Sequence, residues 1–307
     1  MVNKQSTALI SNLQHFSTGD GPGIRSTVFF QGCTLKCDWC HNPETIPLSP
    51  QLLYYANSCK LCGLCVHTCK SGAHQIVDDN GEIRHIVDKS SCCYCGRCAN
   101  VCPANALTVS GTEMTVDEIY SFIAEDCDFY KSSGGGVTLS GGEPLAQAEF
   151  CAAIAERCRE NDIHVIIDTS GHVPYTSIQK VLKVTDIFYY DLKAVSDEEF
   201  SKRTGGSLKL VKDNLIRLIG DGGNVVVRLP IIPGYNNNAE YCREAADFLL
   251  KAGVKALDII PFHRLGFSKY KALGIGNNCI NLKPIEKSDL ERLKSVFEDK
   301  FRVTVKY

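Results

Sequence analysis

Seventeen cysteines occur in this chain of 307 residues, and eleven of them fall into three tightly spaced groups. Disulfide scaffolds are typical of small secreted domains, and an odd number of cysteines in a chain of ordinary globular composition does not suit one. Cysteines that only fill an apolar core would not recur at fixed, close spacings. The grouping therefore predicts metal ligation by reduced thiols in an oxygen-sensitive, anaerobic setting.

The overall composition excludes several classes of function. A net charge of -2 gives no basic field for nucleic acid, and no run of Lys and Arg suggests a membrane surface. No segment approaches the ~20 apolar residues of a membrane span, and the first residues lack the apolar run of a signal peptide. We expect a cytoplasmic protein, monomeric on its own, that binds neither nucleic acid nor membranes.

Helical and strand patterns alternate regularly from residue 115 onward, which predicts parallel strands joined by helical crossovers. Together with a strand at 26–31 they give six βα units, too few for a closed eight-stranded barrel. The sequence therefore predicts an α/β fold, a partial (β/α)6 barrel of residues 1–47 and 113–307, interrupted by an insert at 48–112. The other predicted strands cover 136–140, 164–168, 186–191, 224–229, 256–260 and 301–306, and the clearest helical patterns cover 115–130, 146–160, 239–252 and 286–299.

Two cysteine runs in the insert share the spacing C-x2-C-x2-C-x3-C, one from Cys59 to Cys69 and one from Cys92 to Cys102. Bacterial ferredoxins have this spacing, and in them the fourth cysteine of each run binds the other cluster. Zinc sites usually show two separated CxxC pairs, so this double register disfavours zinc. The insert is predicted to be ferredoxin-like, with two [4Fe-4S] clusters. The ligands would be Cys59, Cys62, Cys65 and Cys102 for one cluster, and Cys69, Cys92, Cys95 and Cys98 for the other.

A third group, Cys33, Cys37 and Cys40, directly follows the first predicted strand with the spacing C-x3-C-x2-C. Three thiolates leave one iron of a [4Fe-4S] cluster open, as in metal sites that are catalytic. The open iron can chelate the amine and carboxylate of S-adenosylmethionine. With Trp39 before the last cysteine, this loop resembles the hallmark of the radical S-adenosylmethionine superfamily.

Polar residues and glycines follow the other predicted strands, at 140–144, 168–171, 191–193, 228–230 and 261–266. Each motif alone has an ordinary interpretation, such as a tight turn, a surface ion pair or a loop histidine. Active sites of βα barrels gather at the carboxyl ends of the strands, so the coincidence favours one site. Two glycines allow backbone groups to approach the amine of the cofactor, and the charged side chains and the histidine can hold its ribose and carboxylate.

The segments 19–25, 32–43, 140–143 and 261–266 together resemble the glycyl radical enzyme activating enzymes. The resemblance implies that Cys33, Cys37 and Cys40 bind the catalytic cluster. With the chemistry of the strand ends, it assigns cofactor contacts to Trp39, Cys40, His41, Gly141, Gly142, Glu143, Asp191, Leu192, Lys193, Arg228 and His263. It also implies a monovalent cation, Na⁺ or K⁺, at Asp168, Thr169, Asp191 and the Tyr189 carbonyl.

The activity that this resemblance implies begins with an electron from a flavodoxin or a ferredoxin-type reductant. S-adenosylmethionine is cleaved to a 5′-deoxyadenosyl radical, which takes a hydrogen atom from a backbone glycine of a partner glycyl radical enzyme. No side chain is assigned as acid or base. Activating enzymes of pyruvate formate-lyase lack the two-cluster insert, so the chain resembles those of dehydratases, decarboxylases and C–N or C–S lyases.

Two alternatives remain open at the level of the sequence. One is a radical S-adenosylmethionine enzyme that acts on a small molecule or a peptide. The other is a non-catalytic electron carrier built around the ferredoxin-like insert, although a carrier would not need the motifs at the strand ends.

Overall fold

The computed structural model describes residues 7–306, in which strands and helices alternate along most of the chain. The strands are β1 (Thr7–Ser17), β2 (Arg25–Phe30), β3 (Gln51–Tyr54), β4 (His74–Asp79), β5 (Glu82–Val87), β6 (Leu107–Ser110), β7 (Thr112–Thr115), β8 (Gly136–Gly141), β9 (His164–Thr169), β10 (Ile187–Asp191), β11 (Val225–Ile231), β12 (Ala256–Pro261) and β13 (Arg302–Val305). The α-helices are α1 (Leu64–Thr68), α2 (Arg97–Asn100), α3 (Val116–Ala124), α4 (Cys127–Ser133), α5 (Ala148–Arg159), α6 (Tyr175–Val181), α7 (Asp197–Thr204), α8 (Leu208–Gly220), α9 (Ala239–Lys251), α10 (Phe267–Leu273) and α11 (Lys287–Glu298).

One nine-stranded sheet dominates the fold, in the order β13-β12-β11-β10-β9-β8-β2-β1-β7. From β2 through β8 to β13 the neighbours are parallel, whereas β1 is antiparallel to both β2 and β7. The predicted α/β class is confirmed. The predicted strands of this sheet all occur, with ends shifted by at most two residues, because each combines a buried apolar run with a glycine or polar boundary.

The helix predicted over 115–130 is wrong as a single element, because the chain forms α3 and α4 with a break between them. Asp126 lies at the break and is 3% exposed. Its carboxylate accepts a hydrogen bond from Ser26 Oγ at 2.5 Å and lies 2.6 Å from His15 Nδ1. A buried carboxylate needs such partners, and meeting them takes precedence over helical continuity.

The core lies between the sheet and its covering helices. Val165 and Ile167 of β9 and Val227 and Leu229 of β11 are fully buried and belong to one cluster with apolar faces of α5, α8 and α9. Truncating Ile167 or Leu229 to alanine should cost about 2–5 kcal/mol. This rigid layer fixes the strand ends on which the site is built.

The segment between β2 and β7 forms two small antiparallel pairs, β3 with β6 and β4 with β5, beside the short helices α1 and α2. It packs on α10, where Leu53 shares an apolar cluster with Leu273. Lys89 Nζ donates a hydrogen bond to the Leu273 carbonyl at 2.6 Å. Within residues 7–306, no helix is long and apolar enough to cross a membrane.

Candidate active site

A cavity of about 340 Å³ lies at the carboxyl ends of the parallel strands. Its volume is in the range of sites for small molecules. Most of the site residues predicted from the sequence line it. They are Cys33, Cys37, Trp39, Cys40, His41, Gly141, Gly142, Asp168, Thr169, Asp191, Lys193, Arg228 and His263.

The loop with the three cysteines is held by backbone hydrogen bonds at both ends. Gly32 N donates to Thr45 O at 2.7 Å, and Lys36 N donates to Thr204 O at 2.8 Å. Tyr270 of α10 donates its hydroxyl hydrogen to Cys40 O at 2.9 Å. The thiols are therefore presented by a fixed backbone.

The three thiols of this loop face a poorly hydrated space. Burial raises the pKa of Cys33, Cys37 and Cys40 to about 12 each. In the metal-free protein they are protonated at neutral pH. Metal binding at these sulfurs must therefore release protons.

Trp39 forms part of the cavity wall rather than projecting freely into the cavity. It is 6% exposed and packs in a small apolar cluster with Phe262 and Phe267. Its ring centroid lies 5.1 Å from that of Tyr235. This aromatic packing braces the three-cysteine loop against the loop after β12.

Gly141 and Gly142 are required by close contacts at the end of β8. Gly141 has φ of +119°, which favours glycine. A Cβ atom on Gly142 would lie 2.3 Å from Gly32 O, a backbone atom that cannot move aside easily. The two glycines therefore let β8 approach the start of the three-cysteine loop.

Glu143, predicted as a cofactor contact, is fully buried and is absent from the residues that line the cavity. Its carboxylate accepts hydrogen bonds from Thr169 Oγ1 at 2.7 Å, Ser170 N at 2.9 Å and Ser170 Oγ at 2.6 Å. Burial raises the pKa of Glu143, and these donors oppose that effect. In this structure the side chain positions the loop after β9.

Leu192 and Tyr189, two further predicted site residues, also lie outside the cavity lining. Leu192 is fully buried in the main core, because its side chain points away from its neighbours Asp191 and Lys193. The Tyr189 ring is 4% exposed and lies 4.9 Å below the Arg228 guanidinium. Of the four residues predicted for a cation, Asp168, Thr169 and Asp191 line the cavity.

Two ion pairs cross the floor of the cavity. Lys193 Nζ lies 2.6 Å from Asp191 Oδ2, and Arg228 Nη1 lies 2.9 Å from Asp168 Oδ2. Burial alone would lower the pKa of Lys193 and of Arg228, but their carboxylate partners raise both above the usual values. Both cations stay charged, ready to meet an anionic group.

Two buried polar atoms on this floor have no hydrogen-bond partner among the described residues. They are Asp168 Oδ1 and Arg228 Nε. Buried polar groups are normally satisfied, so unpaired ones in a cavity indicate the place of a ligand. Asp168 Oδ1 can accept a hydrogen bond here, and Arg228 Nε can donate one.

The mouth of the cavity is closed on one side by two stacked histidines. The His41 and His263 rings have centroids 3.8 Å apart, and His41 Nε2 lies 3.0 Å from the His263 carbonyl oxygen. Burial lowers the pKa of His41 to about 4. His41 is therefore neutral at physiological pH, and its Nε2–H can donate to that carbonyl.

Sequence reasoning missed several residues that build the site. Asp20 lines the cavity, and the unusual glycine-rich turn around it was the available signal. Gln31 carried no signal, yet its side-chain amide donates to three backbone carbonyls in the segment 44–49 and accepts from Ser110 Oγ at 2.7 Å. Lys269 of α10 reaches Asn42 Oδ1 at 2.7 Å.

Two smaller cavities in the segment 51–110 gather the cysteines of the two runs. Cys59, Cys62, Cys65 and Cys102 line one of them. Cys69, Cys92, Cys95 and Cys98 line the other, together with Cys93, which lies outside the predicted set. Apart from Cys93, these are the two sets that were grouped from the ferredoxin spacing, including the exchange of the fourth cysteine between runs.

The two cysteine runs also share an uncommon backbone conformation. Leu61 and Tyr94, at equivalent positions, both have φ of 55°, and the glycine two residues later in each run is left-handed as well. Leu61 N donates to Cys59 Sγ and Tyr94 N donates to Cys92 Sγ, each at 3.4 Å. A left-handed backbone is strained at residues other than glycine. At Leu61 and Tyr94 this strained conformation directs the backbone N–H toward the cysteine sulfur.

Comparison with known proteins agrees with this site. A family profile described as a 4Fe-4S single cluster domain matches residues 19–207, which contain all three cysteine groups. A choline trimethylamine-lyase activating enzyme of Oleidesulfovibrio alaskensis is 37% identical over 94% of this chain and 94% of its own. A trans-4-hydroxy-L-proline dehydratase activating enzyme of Clostridioides difficile is 39% identical over 94% of this chain and 96% of its own.

The chain belongs to the glycyl radical enzyme activating enzymes. The family and the class of activity predicted from the motifs are thereby confirmed, and the electron-carrier alternative is set aside. A radical SAM methyltransferase from Sphaerobacter thermophilus matches this activating enzyme with a TM-score of 0.57 and 13% identity, covering 98% of this chain and 77% of that one. This likeness shows a common fold.

Proposed function

We propose that this activating enzyme cleaves S-adenosylmethionine in the 340 Å³ cavity and generates a radical on a glycine of a partner enzyme. One observation carries the proposal. Cys33, Cys37 and Cys40 line the same cavity as Asp168 and Arg228, and each of these two residues has one buried polar atom without a partner among the described residues. A metal site with only three protein ligands and an adjacent polar pocket suits a cofactor that binds both.

The donor set fits a [4Fe-4S] cluster with one open iron, because three cysteines are near and no fourth lines the cavity. When bound, the cluster supplies an electron that cleaves the sulfonium of S-adenosylmethionine, and the resulting 5′-deoxyadenosyl radical takes a hydrogen atom from the glycine Cα. The protein contributes position and exclusion of water.

The side chains of the cavity have separate binding roles in this proposal. Gly142 lets the backbone approach the amine of the cofactor, and Arg228 and Lys193 face its carboxylate and ribose. Asp168, Thr169 and Asp191, with the Tyr189 carbonyl, form the place for a monovalent cation, Na⁺ or K⁺. Hard cations prefer oxygen ligands of this kind.

The parallel strands β2 and β8 to β12 form a partial (β/α)6 barrel in this proposal. Its support is the sheet order, in which β13 and β7 are the two outer strands and do not pair with each other. A barrel left open at this side admits a peptide loop. The glycine of the partner then reaches the cavity on that loop, and the rest of the partner stays folded.

Residues 48–112 act as a ferredoxin-like insert with two [4Fe-4S] clusters, which brings the total to three. The support is the sorting of eight cysteines into two cavities in the ligand sets of ferredoxins. The clusters receive electrons from a flavodoxin or a ferredoxin-type protein. We further propose that the enzyme is cytoplasmic and is a monomer on its own.

The partner belongs to the dehydratase, decarboxylase or C–N and C–S lyase classes of glycyl radical enzymes. The support is that the relatives reported above are named for a trimethylamine-lyase and a dehydratase. A small-molecule or peptide substrate is the alternative that an experiment has to exclude.

The test uses the reconstituted enzyme, a reductant, S-adenosylmethionine and a candidate partner labelled with deuterium at glycine Cα. We expect a persistent organic radical on the partner in electron paramagnetic resonance, and deuterium in the 5′-deoxyadenosine. A backbone glycyl radical is accessible because glycine has no side chain that hinders approach. Cleavage without deuterium transfer from any candidate partner would instead favour a small substrate.

A further inference from the structure

Two histidines lie between the two cysteine cavities of the insert. His74 on β4 and His85 on β5 share one face of the hairpin, since Ile76 pairs with His85 and His74 lies two residues before it. They are 3% and 7% exposed, whereas most other side chains of β4 and β5 are exposed. A buried polar pair in an exposed hairpin indicates a function beyond packing.

The two rings connect the cysteine cavities. His85 lines the cavity of Cys59 and Cys65, and His74 lines the other cavity. His74 Nδ1 lies 3.0 Å from His85 Nε2. His85 Nδ1 lies 3.6 Å from Cys59 Sγ, and His85 Nε2 lies 3.5 Å from Cys65 Sγ.

One assignment of hydrogens satisfies the contact between the two rings and the contact with Cys59, with His85 Nε2 accepting from His74 and not donating to Cys65 Sγ. A neutral imidazole has one N–H donor and one nitrogen acceptor. His74 Nδ1–H then donates to His85 Nε2, and His85 Nδ1–H donates to Cys59 Sγ. Cys59 Sγ also accepts from Leu61 N at 3.4 Å and is hydrogen-bonded to the Tyr54 side chain, so His85 adds a further donor to this sulfur.

We propose that His85, held in position by His74, raises the reduction potential of the cluster at Cys59, Cys62, Cys65 and Cys102. The inference rests on the two-cluster insert proposed above. Reduction adds negative charge to the cluster and its sulfurs, and an N–H donor stabilises that charge, so the potential rises. His74 acts by fixing which nitrogen of His85 faces Cys59.

The other cluster offers a matched control. Its sulfurs accept from different side chains, among them Arg97, whose Nε lies 3.3 Å from Cys95 Sγ. His85→Phe and Arg97→Gln should therefore shift different clusters. His67→Phe controls for the loss of an imidazole, because His67 is exposed and has no hydrogen bond to cysteine among the described residues.

The experiment is an anaerobic redox titration of the reconstituted full-length enzyme by electron paramagnetic resonance, with iron and zinc measured on each sample. His85→Phe should lower one of the two insert potentials and leave the catalytic one unchanged. At a fixed potential we expect about a tenfold smaller ratio of reduced to oxidised cluster. This ratio corresponds to a reduction potential lowered by ~59 mV for one electron. His74→Phe should give a smaller shift in the same direction, and His85→Gln, which keeps a donor, should recover part of it.

Unchanged potentials in His85→Phe with full iron content would overturn the inference and leave the two-cluster insert intact. If His85→Phe loses iron, His74→Phe decides, because His74 has no hydrogen bond to cysteine in the described residues; an unchanged potential there overturns the inference as well. Stoichiometric zinc at Cys65, His74 and His85, whose ligand atoms lie within 4.8 Å of one another, would also overturn it. A wild-type enzyme with four irons would contradict the proposed insert itself.

Discussion

His41 and His263 stack across the mouth of the cavity at 3.8 Å between ring centroids, although 222 positions separate them in the sequence. The contact joins the three-cysteine loop after β2 to the loop after β12. Gly266 in the second loop also packs against His41, because a Cβ atom on Gly266 would lie only 2.4 Å from His41 O. Two strand ends on opposite sides of the cavity are thus held together at its mouth.

His41→Phe keeps the ring stack but removes the donor to the His263 carbonyl. One lost hydrogen bond corresponds to about 1 kcal/mol, so we expect about fivefold weaker binding of S-adenosylmethionine. Anaerobic equilibrium binding to the reconstituted enzyme measures this, with exposed His67→Phe as the control. Equal affinity in His41→Phe and wild type would show that the hydrogen bond does not order the cofactor site.

Gly142→Ala should prevent assembly of the catalytic site. Its Cβ would lie 2.3 Å from Gly32 O, and relieving that contact displaces the start of the three-cysteine loop. We expect at least a hundredfold loss of S-adenosylmethionine cleavage. Gly220→Ala is the matched control, because nothing lies within 4 Å of the added atom and φ is not in the left-handed region. Wild-type cleavage by Gly142→Ala would refute the packing argument.

Glu143→Gln should destabilise the enzyme by about 2 kcal/mol. The NH₂ group of the new amide must face a hydrogen-bond donor at a position where a carboxylate oxygen accepted a hydrogen bond. Both carboxylate oxygens accept hydrogen bonds, from Thr169 and Leu145 on one side and from Ser170 on the other. Thermal unfolding under anaerobic conditions measures the change. An unaltered midpoint, compared with the exposed control Glu149→Gln, would be inconsistent with the positioning role.

Cys37→Ala should abolish S-adenosylmethionine cleavage, since it removes one of three ligands of the catalytic cluster. Cys95→Ala should retain cleavage with a strong artificial reductant and hold about eight irons where the wild type holds about twelve. Iron analysis and quantified 5′-deoxyadenosine test both statements. Equal loss of cleavage in the two variants would mean that the insert and the catalytic cluster cannot assemble separately.

The catalytic iron should be lost to a chelator more readily as the pH falls. Burial raises the pKa of Cys33, Cys37 and Cys40 to about 12 in the metal-free protein, so protons compete with iron at all three sulfurs below that pH. Samples are exposed to the chelator at pH values between 6.5 and 8.5 and are then brought to the same pH. The iron retained is measured as the residual cleavage of S-adenosylmethionine with a strong artificial reductant. A pH-independent loss would show that the thiols are not the site of exchange.

Local spacing carried much of the sequence prediction, because ligands of one cluster are close together in the chain. The exchange of Cys69 and Cys102 joins cysteines that are far apart in the chain, and it followed from the ferredoxin pattern of the double run. The prediction for Glu143 did not foresee its contacts with Ser170, since burial of a strand-end carboxylate depends on a loop that the motif does not contain. Leu192 was grouped with its charged neighbours, although adjacent side chains of an extended segment face opposite ways.

The break at Asp126 shows the same limit for the fold. Helical periodicity continues through 115–130, and only the tertiary contacts with Ser26 and His15 explain why the helix ends. The roles of Gln31 and Lys269 likewise depend on segments brought together by folding. Such residues carry no pattern of their own in a single sequence.

Helix α10 touches both the three-cysteine loop and the insert, through Tyr270 to the Cys40 carbonyl and through the Leu273 carbonyl to Lys89. Its seven residues span about 10 Å. The helix therefore works as a rigid strut whose length and tilt set the distance between the insert and the three-cysteine loop. Substitutions at its two ends should not be additive in their effect on the position of the insert, since both move the same strut.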